Sequence, residues 1–263
     1  MQLGELLEEL RENILHDVSH QIAGPSDQLW SDKTLVRYID QAQRRLARKS
    51  LCLRDGKTPS VTQFKTTATT DNLGYWETQL DQSVVSVLSL RMVGDTADLA
   101  RAGHTAFSTY KQPDSYFFDA STLSSVPPGK PAAYSTDEQL GIADDGDLSV
   151  VTLRLFPAPS AAYAGIVGQM RVARMPLNRL NHRNLRTQIE IPESFQIDML
   201  DWAGYLALRK PDTDTYNPTA AENLRVRFEA TVEDVKQELR RKEFTPAQWG
   251  YGKNAWSWEG NNG

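Results

Sequence analysis

The histidines of His16-Asp17-Val18-Ser19-His20 are the residues in this chain whose spacing comes closest to a metal site. Two imidazoles four positions apart share one face of a helix, and an acid lies between them, as in zinc proteases. Asp17 is one methylene shorter than the glutamate that this chemistry requires. The other two histidines, His104 and His182, lie in unrelated segments. We therefore interpret this segment as a solvated helix face, and no metal is expected.

Two further motifs resemble ligand-binding loops only in part. Gly56-Lys57-Thr58 matches the end of a phosphate-binding loop, but Leu51 occupies the position of its first glycine. Asp212-Thr213-Asp214 matches the start of a calcium loop. Asn217 and Asn223 there replace the turn glycine and the final glutamate, so a turn between helices is favoured. No cofactor is predicted.

Composition excludes several classes of protein. Cys52 is the only cysteine among 263 residues, so no intrachain disulfide can form, which fits assembly in a reducing cytoplasm. The formal net charge of −5 argues against attraction of the whole surface to nucleic acid. No apolar run reaches the roughly 18 residues of a membrane span, and the acidic N-terminus is unlike a signal peptide. No nucleophile–base pair is recognisable, so we predict that the protein is not an enzyme.

Two amphipathic helices are predicted near the N-terminus. Gly24-Pro25 ends the first, and either Ser31 or Asp32 can cap the second. Apolar residues recur at helical spacing in both. They are Leu3, Leu6, Leu7, Leu10, Ile14 and Val18 in the first helix, and Leu35, Ile39, Ala42 and Leu46 in the second.

Helix returns in the C-terminal part of the sequence. Pro192 suits a first helical turn, Glu193 complements the helix dipole, and Pro211 ends the run. A last long helix is predicted from Pro218 to Lys242. The apolar faces consist of Phe195, Ile197, Met199, Trp202 and Leu206 in the earlier helix, and Leu224, Phe228, Val232, Val235 and Leu239 in the later one.

The middle of the chain has the alternation typical of strands. It is clearest in Val84–Val93, Ser149–Phe156 and Ile166–Arg174, with a Thr-rich segment from Val61 to Thr70. Between these strands, residues 94–146 are predicted to be irregular, and loops of this length are usually functional or mobile.

Together these segments predict an α+β fold. Two helices from each end of the chain can bury one another's apolar stripes, so residues 1–57 and 189–242 are predicted to form one discontinuous helical bundle. Residues 58–188 are predicted to be a β-rich insertion, and residues 243–263 an extended C-terminal arm.

The C-terminal arm is rich in aromatic residues but has no periodicity. Trp249, Tyr251, Trp256 and Trp258 stand among Gly, Asn and Pro, and cannot build a core of their own. One interpretation is an arm that buries these side chains in another subunit, because Trp and Tyr dominate interface hot spots. The alternative is that the arm folds back over its own bundle.

Basic residues cluster at the end of the second helix. Arg44, Arg45, Arg48 and Lys49, followed by Arg54, are interpreted either as charges that match the helix dipole or as contacts with another subunit or partner. Contact with DNA is the third alternative.

Several short motifs occur in a characteristic order between residues 29 and 230. They are Leu29-Trp30-Ser31-Asp32, Tyr38-Ile39-Asp40-Gln41-Ala42-Gln43 with the basic run to Leu53, Gly129-Lys130-Pro131 with Tyr134, Leu155-Phe156-Pro157-Ala158-Pro159, Ile191-Pro192-Glu193 with Leu200, Trp202-Ala203 with Tyr205 and Ala207-Leu208, and Asp212-Thr213-Asp214. In this order and spacing the chain resembles the head-to-tail adaptor (connector) proteins of tailed bacteriophages, particularly those of short-tailed phages.

The resemblance implies a virion structural protein without catalysis. It implies a ring, typically of twelve copies, which joins the portal to the tail tube or nozzle protein in the neck of the virion, after assembly in the host cytoplasm. DNA would pass through the lumen without sequence-specific binding, and no membrane is involved. The C-terminal segment would reach the portal, with Trp249, Tyr251, Trp256 and Trp258 as its docking residues. The alternatives are a receptor- or glycan-binding tail module, or a hydrolase with an unplaced pair of carboxylates.

Overall fold

Helices occupy both ends of the described chain. The computed structural model describes residues 1–17, 29–68, 75–102, 127–138, 151–211 and 216–243. Its α-helices are α1 (Leu3–Glu9), α2 (Asp32–Ser50), α3 (Pro59–Thr62), α4 (Leu200–Leu208) and α5 (Pro218–Glu243). A π-helical turn, Leu10–Leu15, continues α1. Ser31 caps α2, as predicted, because its hydroxyl oxygen accepts a hydrogen bond from the N–H of Thr34 at 3.3 Å.

The four longer helices share one apolar core. Each contributes the side chains of its apolar stripe, because the 3.6-residue period puts them on one face. The buried members include Leu3, Leu6, Leu10, Leu35, Ile39, Leu46, Met199, Trp202, Ala203, Leu224, Phe228, Val232 and Val235. Residues from both ends of the chain therefore leave water together.

The segment after Pro192 differs from its prediction. Glu193–Phe195 forms a single 3-10 turn, and the α-helix begins only at Leu200. The side chain of Ile197 was predicted to lie on the apolar face, but this residue is 50% exposed. The four residues from 196 to 199 form turns, so the helical spacing from which Ile197 was predicted does not extend this far back.

Eight strands form two sheets of four strands each in the described part of the chain. The strands are β1 (Arg54–Asp55), β2 (Gln63–Lys65), β3 (Trp76–Gln79), β4 (Val84–Met92), β5 (Ala100–Arg101), β6 (Ala133–Glu138), β7 (Val151–Phe156) and β8 (Val167–Arg174). In the first sheet β8 pairs with β4 along one edge, and with β1 and β2 along the other. The second sheet has the order β3-β7-β6-β5, in which β5 and β6 are parallel. Both helices and sheets are thus present, and the predicted α+β class is confirmed.

The two sheets face each other across a second apolar core. It combines Val87, Leu90, Met170 and Val172 of the first sheet with Trp76, Tyr134, Leu153 and Leu155 of the second. Phe64 and Trp76 stack across this core with ring centroids 5.6 Å apart. The alternation of inward and outward side chains along β7 and β8 places their residues inside, whereas two register shifts in β4 set its buried residues Val84, Val87 and Leu90 three apart.

Two predictions for the sheet region were wrong. Strands β5 and β6 lie inside residues 94–146, which were predicted to be irregular. The pairing of β6 with β5 on one side and β7 on the other specifies this strand, more than its own sequence does. The Thr-rich strand begins later than predicted, because Pro59 starts the helical turn α3, and of the described residues 61–68 only Gln63–Lys65 form a strand.

Candidate assembly surfaces

Most of the basic residues near the end of α2 have partners within the same chain. Oε1 of Glu229 on α5 accepts hydrogen bonds from Lys49 Nζ at 2.6 Å and from Arg45 Nη2 at 3.3 Å. Burial alone would raise the pKa of Glu229, but these hydrogen bonds and charges lower it. Arg44 Nε lies 3.2 Å from Asp40 Oδ2, one turn back on α2. Three of the four predicted contact residues therefore have partners within the subunit: Arg45 and Lys49 join α2 to α5, and Arg44 pairs within α2.

Trp202 lies at the centre of this helical contact. The Arg45 guanidinium carbon lies 3.7 Å from the centroid of its ring, close enough for a cation–π interaction. Tyr205 and Phe228 pack beside it, with ring centroids at 4.7 and 5.2 Å. The arrangement fixes α2 against α4 and α5.

Like Lys49, Arg48 of the predicted basic group is exposed. Among the residues that the structure describes, its side chain takes part in no hydrogen bond or ion pair. The aromatic docking residues Trp249, Tyr251, Trp256 and Trp258 lie outside the described residues, as does the arm that carries them.

A charged network joins the helical core to the first sheet. Arg174, the last residue of β8, donates from Nε to Asp55 Oδ2 at 2.8 Å and from Nη1 to Glu190 Oε2 at 2.5 Å. On α2, Asp40 Oδ1 accepts a hydrogen bond from the N–H of Leu180 at 3.1 Å. These partners lie far apart in sequence and hold the two cores together.

Asp55 is the most strongly held carboxylate of this network. Its burial would raise the pKa, but three hydrogen bonds from Lys57 and Thr58 and one from Arg174 outweigh that effect and hold the pKa well below its usual range. The N–H groups of Lys57 and Thr58 both donate to Asp55 Oδ1. Within Gly56-Lys57-Thr58, these two backbone donors are thus occupied by the chain itself, in contrast to a phosphate-binding loop.

The remaining chemical motifs lead to no described site. The ring of His16 is exposed, with Nδ1 3.0 Å from the carbonyl oxygen of Glu12, and His20 lies outside the described residues. Asp212-Thr213-Asp214 lies outside them as well. Burial raises the pKa of the Cys52 thiol, so this side chain behaves as a small apolar one. In the described ranges, no three His, Cys, Asp or Glu side chains are grouped so that they could hold a metal ion.

A basic loop that sequence reasoning missed connects β8 to the C-terminal helices. Residues 176–188, here called the arginine loop, expose Arg179, Arg183 and Arg186 together with Leu177 and Leu185. In the described part of the chain these three guanidinium groups have no ion-pair partner. The sequence contains a signal for this loop, because three arginines and no acidic residue occur between Met175 and Ile189.

The arginine loop is held firmly although it contains no helix or strand. Glu190 Oε1 accepts the N–H of Leu177 at 2.8 Å and that of Asn178 at 3.1 Å. At its other end, the carbonyl oxygens of Leu185 and Thr187 accept the N–H groups of Gly4 and Leu3, both at 2.9 Å. These bonds satisfy two of the donors that every helix leaves open in its first turn.

The structure thus shows an α+β protein whose charged residues mainly join its own elements and otherwise lie on exposed surfaces. A family model described as SU10 adaptor protein matches residues 1–250. The chain belongs to this family and is a structural adaptor protein of a bacteriophage. No curated protein matches the chain. In the parts of the chain that are described, no helix has the length and apolar character to cross a bilayer.

Proposed function

We propose that this protein forms a ring between the portal and the tail, and joins the two while leaving a channel for DNA. The observation that carries the proposal is the family match over residues 1–250. The resemblance implies a ring of twelve copies. The ring would lie in the neck of the virion, after assembly in the host cytoplasm. The partners would be the portal protein on one side and the tail tube or nozzle protein on the other.

The way in which the two cores are joined supports a mechanical role. Arg174 links Asp55 of the first sheet to Glu190, and within the helical core Arg45 and Lys49 link α2 to α5. We propose that these buried and half-buried ion pairs fix the relative orientation of the elements they join more sharply than apolar contacts would. Such joints would let a subunit transmit force between portal and tail without shearing. The helical part, residues 1–57 with 189–242, and the β-rich insertion, residues 58–188, would then move as one body.

Docking on the portal is assigned to the C-terminal arm, residues 243–263. Trp249, Tyr251, Trp256 and Trp258 would fill pockets between portal subunits, and many weak copies around a ring would add through avidity. Among the basic residues of α2, Arg48 is the one proposed to contact another subunit, since Arg44, Arg45 and Lys49 have partners within the chain.

Sedimentation of the purified protein with and without portal rings tests this function. The subunit alone should remain small, and adding portal rings should give one larger particle with a fixed ratio of the two proteins. Protein ending at Lys242 and the variant Trp256→Ala/Trp258→Ala should lose this shift, whereas Trp256→Phe/Trp258→Phe should largely keep it. No shift with wild-type protein would refute the proposal. Binding to host glycans in place of portal would favour a tail module.

A further inference from the structure

The arginine loop carries positive charge that its own subunit does not neutralise. Arg179, Arg183 and Arg186 are exposed, and the described residues supply no carboxylate within ion-pair distance. Leu177 and Leu185, which are 40% and 36% exposed, lie among them. Ordered arginines interleaved with exposed apolar side chains are typical of protein interfaces, where Arg is enriched. Phosphate groups of DNA would offer nothing to the leucines.

Helix α1 and its π-helical turn carry the opposite charge. Glu5, Glu8 and Glu12 are exposed and Glu9 is half-buried, here called the acidic stripe. Arg11, the basic residue of this segment, is buried and bound elsewhere, with Nη1 2.5 Å from Asp17 Oδ2 and Nη2 2.7 Å from Asp32 Oδ1. Like charges three and four positions apart destabilise a helix. Glu5 also accepts the N–H of Gln2 in a capping box, so the cost falls mainly on Glu8, Glu9 and Glu12, where a cation from outside would relieve it.

The acidic stripe and the arginine loop have fixed positions relative to each other within one subunit. The bonds from Leu3 and Gly4 to carbonyl oxygens of the arginine loop hold the start of α1 on that loop. Even so, the described residues show no ion pair between the acidic stripe and the arginine loop. Water solvates these exposed charges in the free subunit. A second copy of this chain would offer an opposite charge to both surfaces at once.

We propose that the arginine loop of one copy docks on the acidic stripe of the next copy in the ring. This inference rests on the ring proposed above and names its subunit contact. In this heterologous contact the loop of each copy meets the stripe of the next copy, and its own stripe meets the loop of the copy before, which generates a ring when the rotation closes. Leu177 and Leu185 would lose water at its centre, and the charges around them would set its register.

Charge reversal on each surface tests this contact. Loop variant Arg183→Glu/Arg186→Glu and stripe variant Glu8→Lys/Glu12→Lys reverse two charges each, at exposed positions whose loss leaves the core intact. On portal rings, each variant alone should assemble at least about tenfold less well than wild type, because like charges then face each other at every contact. The matched control, Arg183→Lys/Arg186→Lys, keeps the charge and should assemble normally.

The decisive sample is an equal mixture of the two reversed variants. In an alternating ring, each contact of the mixture again joins opposite charges, so assembly should return, as it should in the four-fold variant. Effects confined within one subunit could not be rescued by mixing. Circular dichroism confirms folding, and Arg183→Gln/Arg186→Gln replaces any reversed loop variant that does not fold.

Other outcomes overturn the inference in distinguishable ways. Normal ring assembly by both reversed variants would refute this contact and leave the proposed ring intact. A mixture that stays defective, or stops at dimers, would do the same. Loss of DNA retention by the loop variant with normal assembly would assign the arginines to phosphate. If wild-type protein forms no ring on portal, the proposed function and this contact fail together.

Discussion

The replacement of Gly204 by alanine tests how the two ends of the chain pack together. Gly204 lies within α4, where a helix gains about 1 kcal/mol when alanine replaces glycine. A Cβ atom added there would lie 2.5 Å from Ile14 Cγ2 and 2.9 Å from Leu224 Cδ1. Carbon atoms at rest are about 3.5–4.0 Å apart, so the neighbours must move by about 1 Å. Overpacking of this kind costs about 1–3 kcal/mol.

The cost should exceed the gain, because Ile14 is β-branched and stiff, whereas the end of Leu224 can rotate away. We expect Gly204→Ala to lower the free energy of unfolding by up to about 2 kcal/mol. In the Ile14→Ala background the closer obstacle is gone, and the same change should raise the free energy by about 0.5–1 kcal/mol. The substitution thus reverses sign between backgrounds, with a coupling energy of about 1–3 kcal/mol.

Urea denaturation followed by circular dichroism measures all four proteins. Gly4→Ala is the matched control, since a Cβ atom there would lie 3.5 Å from its nearest neighbours, an ordinary contact. It should have the same small effect in both backgrounds. If Gly204→Ala changes the free energy of unfolding equally in both backgrounds, within about 0.5 kcal/mol, the packing of the π-helical turn on α4 is refuted.

Three other changes have defined outcomes. Arg174→Met should lower the free energy of unfolding by about 3–5 kcal/mol at neutral pH, because it leaves buried Asp55 without its cation; urea titration should show this loss shrinking in acid, as Asp55 of the variant binds a proton before that of the wild type does. Gly168→Ala should cost about 1–3 kcal/mol and change the near-ultraviolet circular dichroism, since its Cβ atom would lie 2.2 Å from the ring of Phe64. Burial raises the pKa of Asp201, so the charged form is unfavourable in the fold at pH 7. Asp201→Asn should raise the Tm at pH 7, and this gain should vanish in acid, below the pKa that Asp201 has in the unfolded chain. A gain that is the same at both pH values would contradict the reasoning.

The helices and the long strands could be predicted because their periodicity is local. The stripes of α2 and α5 and the alternation along β7 and β8 depend on neighbouring residues in the sequence. Strand β6 could not be predicted in this way, since its place depends on pairing with β5 and β7. Ile197 was misplaced because a turn interrupts the helical spacing before α4.

The charged residues were harder to assign than the apolar ones. Arg45 and Lys49 contact Glu229, which is about 180 residues further along the chain, and no sequence spacing reveals such a pair. The arginine loop has a visible pattern, but its significance depends on the structure. Only there is it evident that the loop is held in place while its three guanidinium groups face outward.

The helical core, built from both ends of the chain, has a consequence for synthesis on the ribosome. Helix α2 ends at Ser50, whereas α4, which covers it, begins at Leu200, about 150 residues later. Synthesis proceeds at about 5–20 residues per second, so the apolar side of α2 remains without α4 for on the order of ten to thirty seconds. The sheets emerge in that interval and can form first. Nascent chains in which α2 is still uncovered are therefore the species most exposed to premature association and to chaperones.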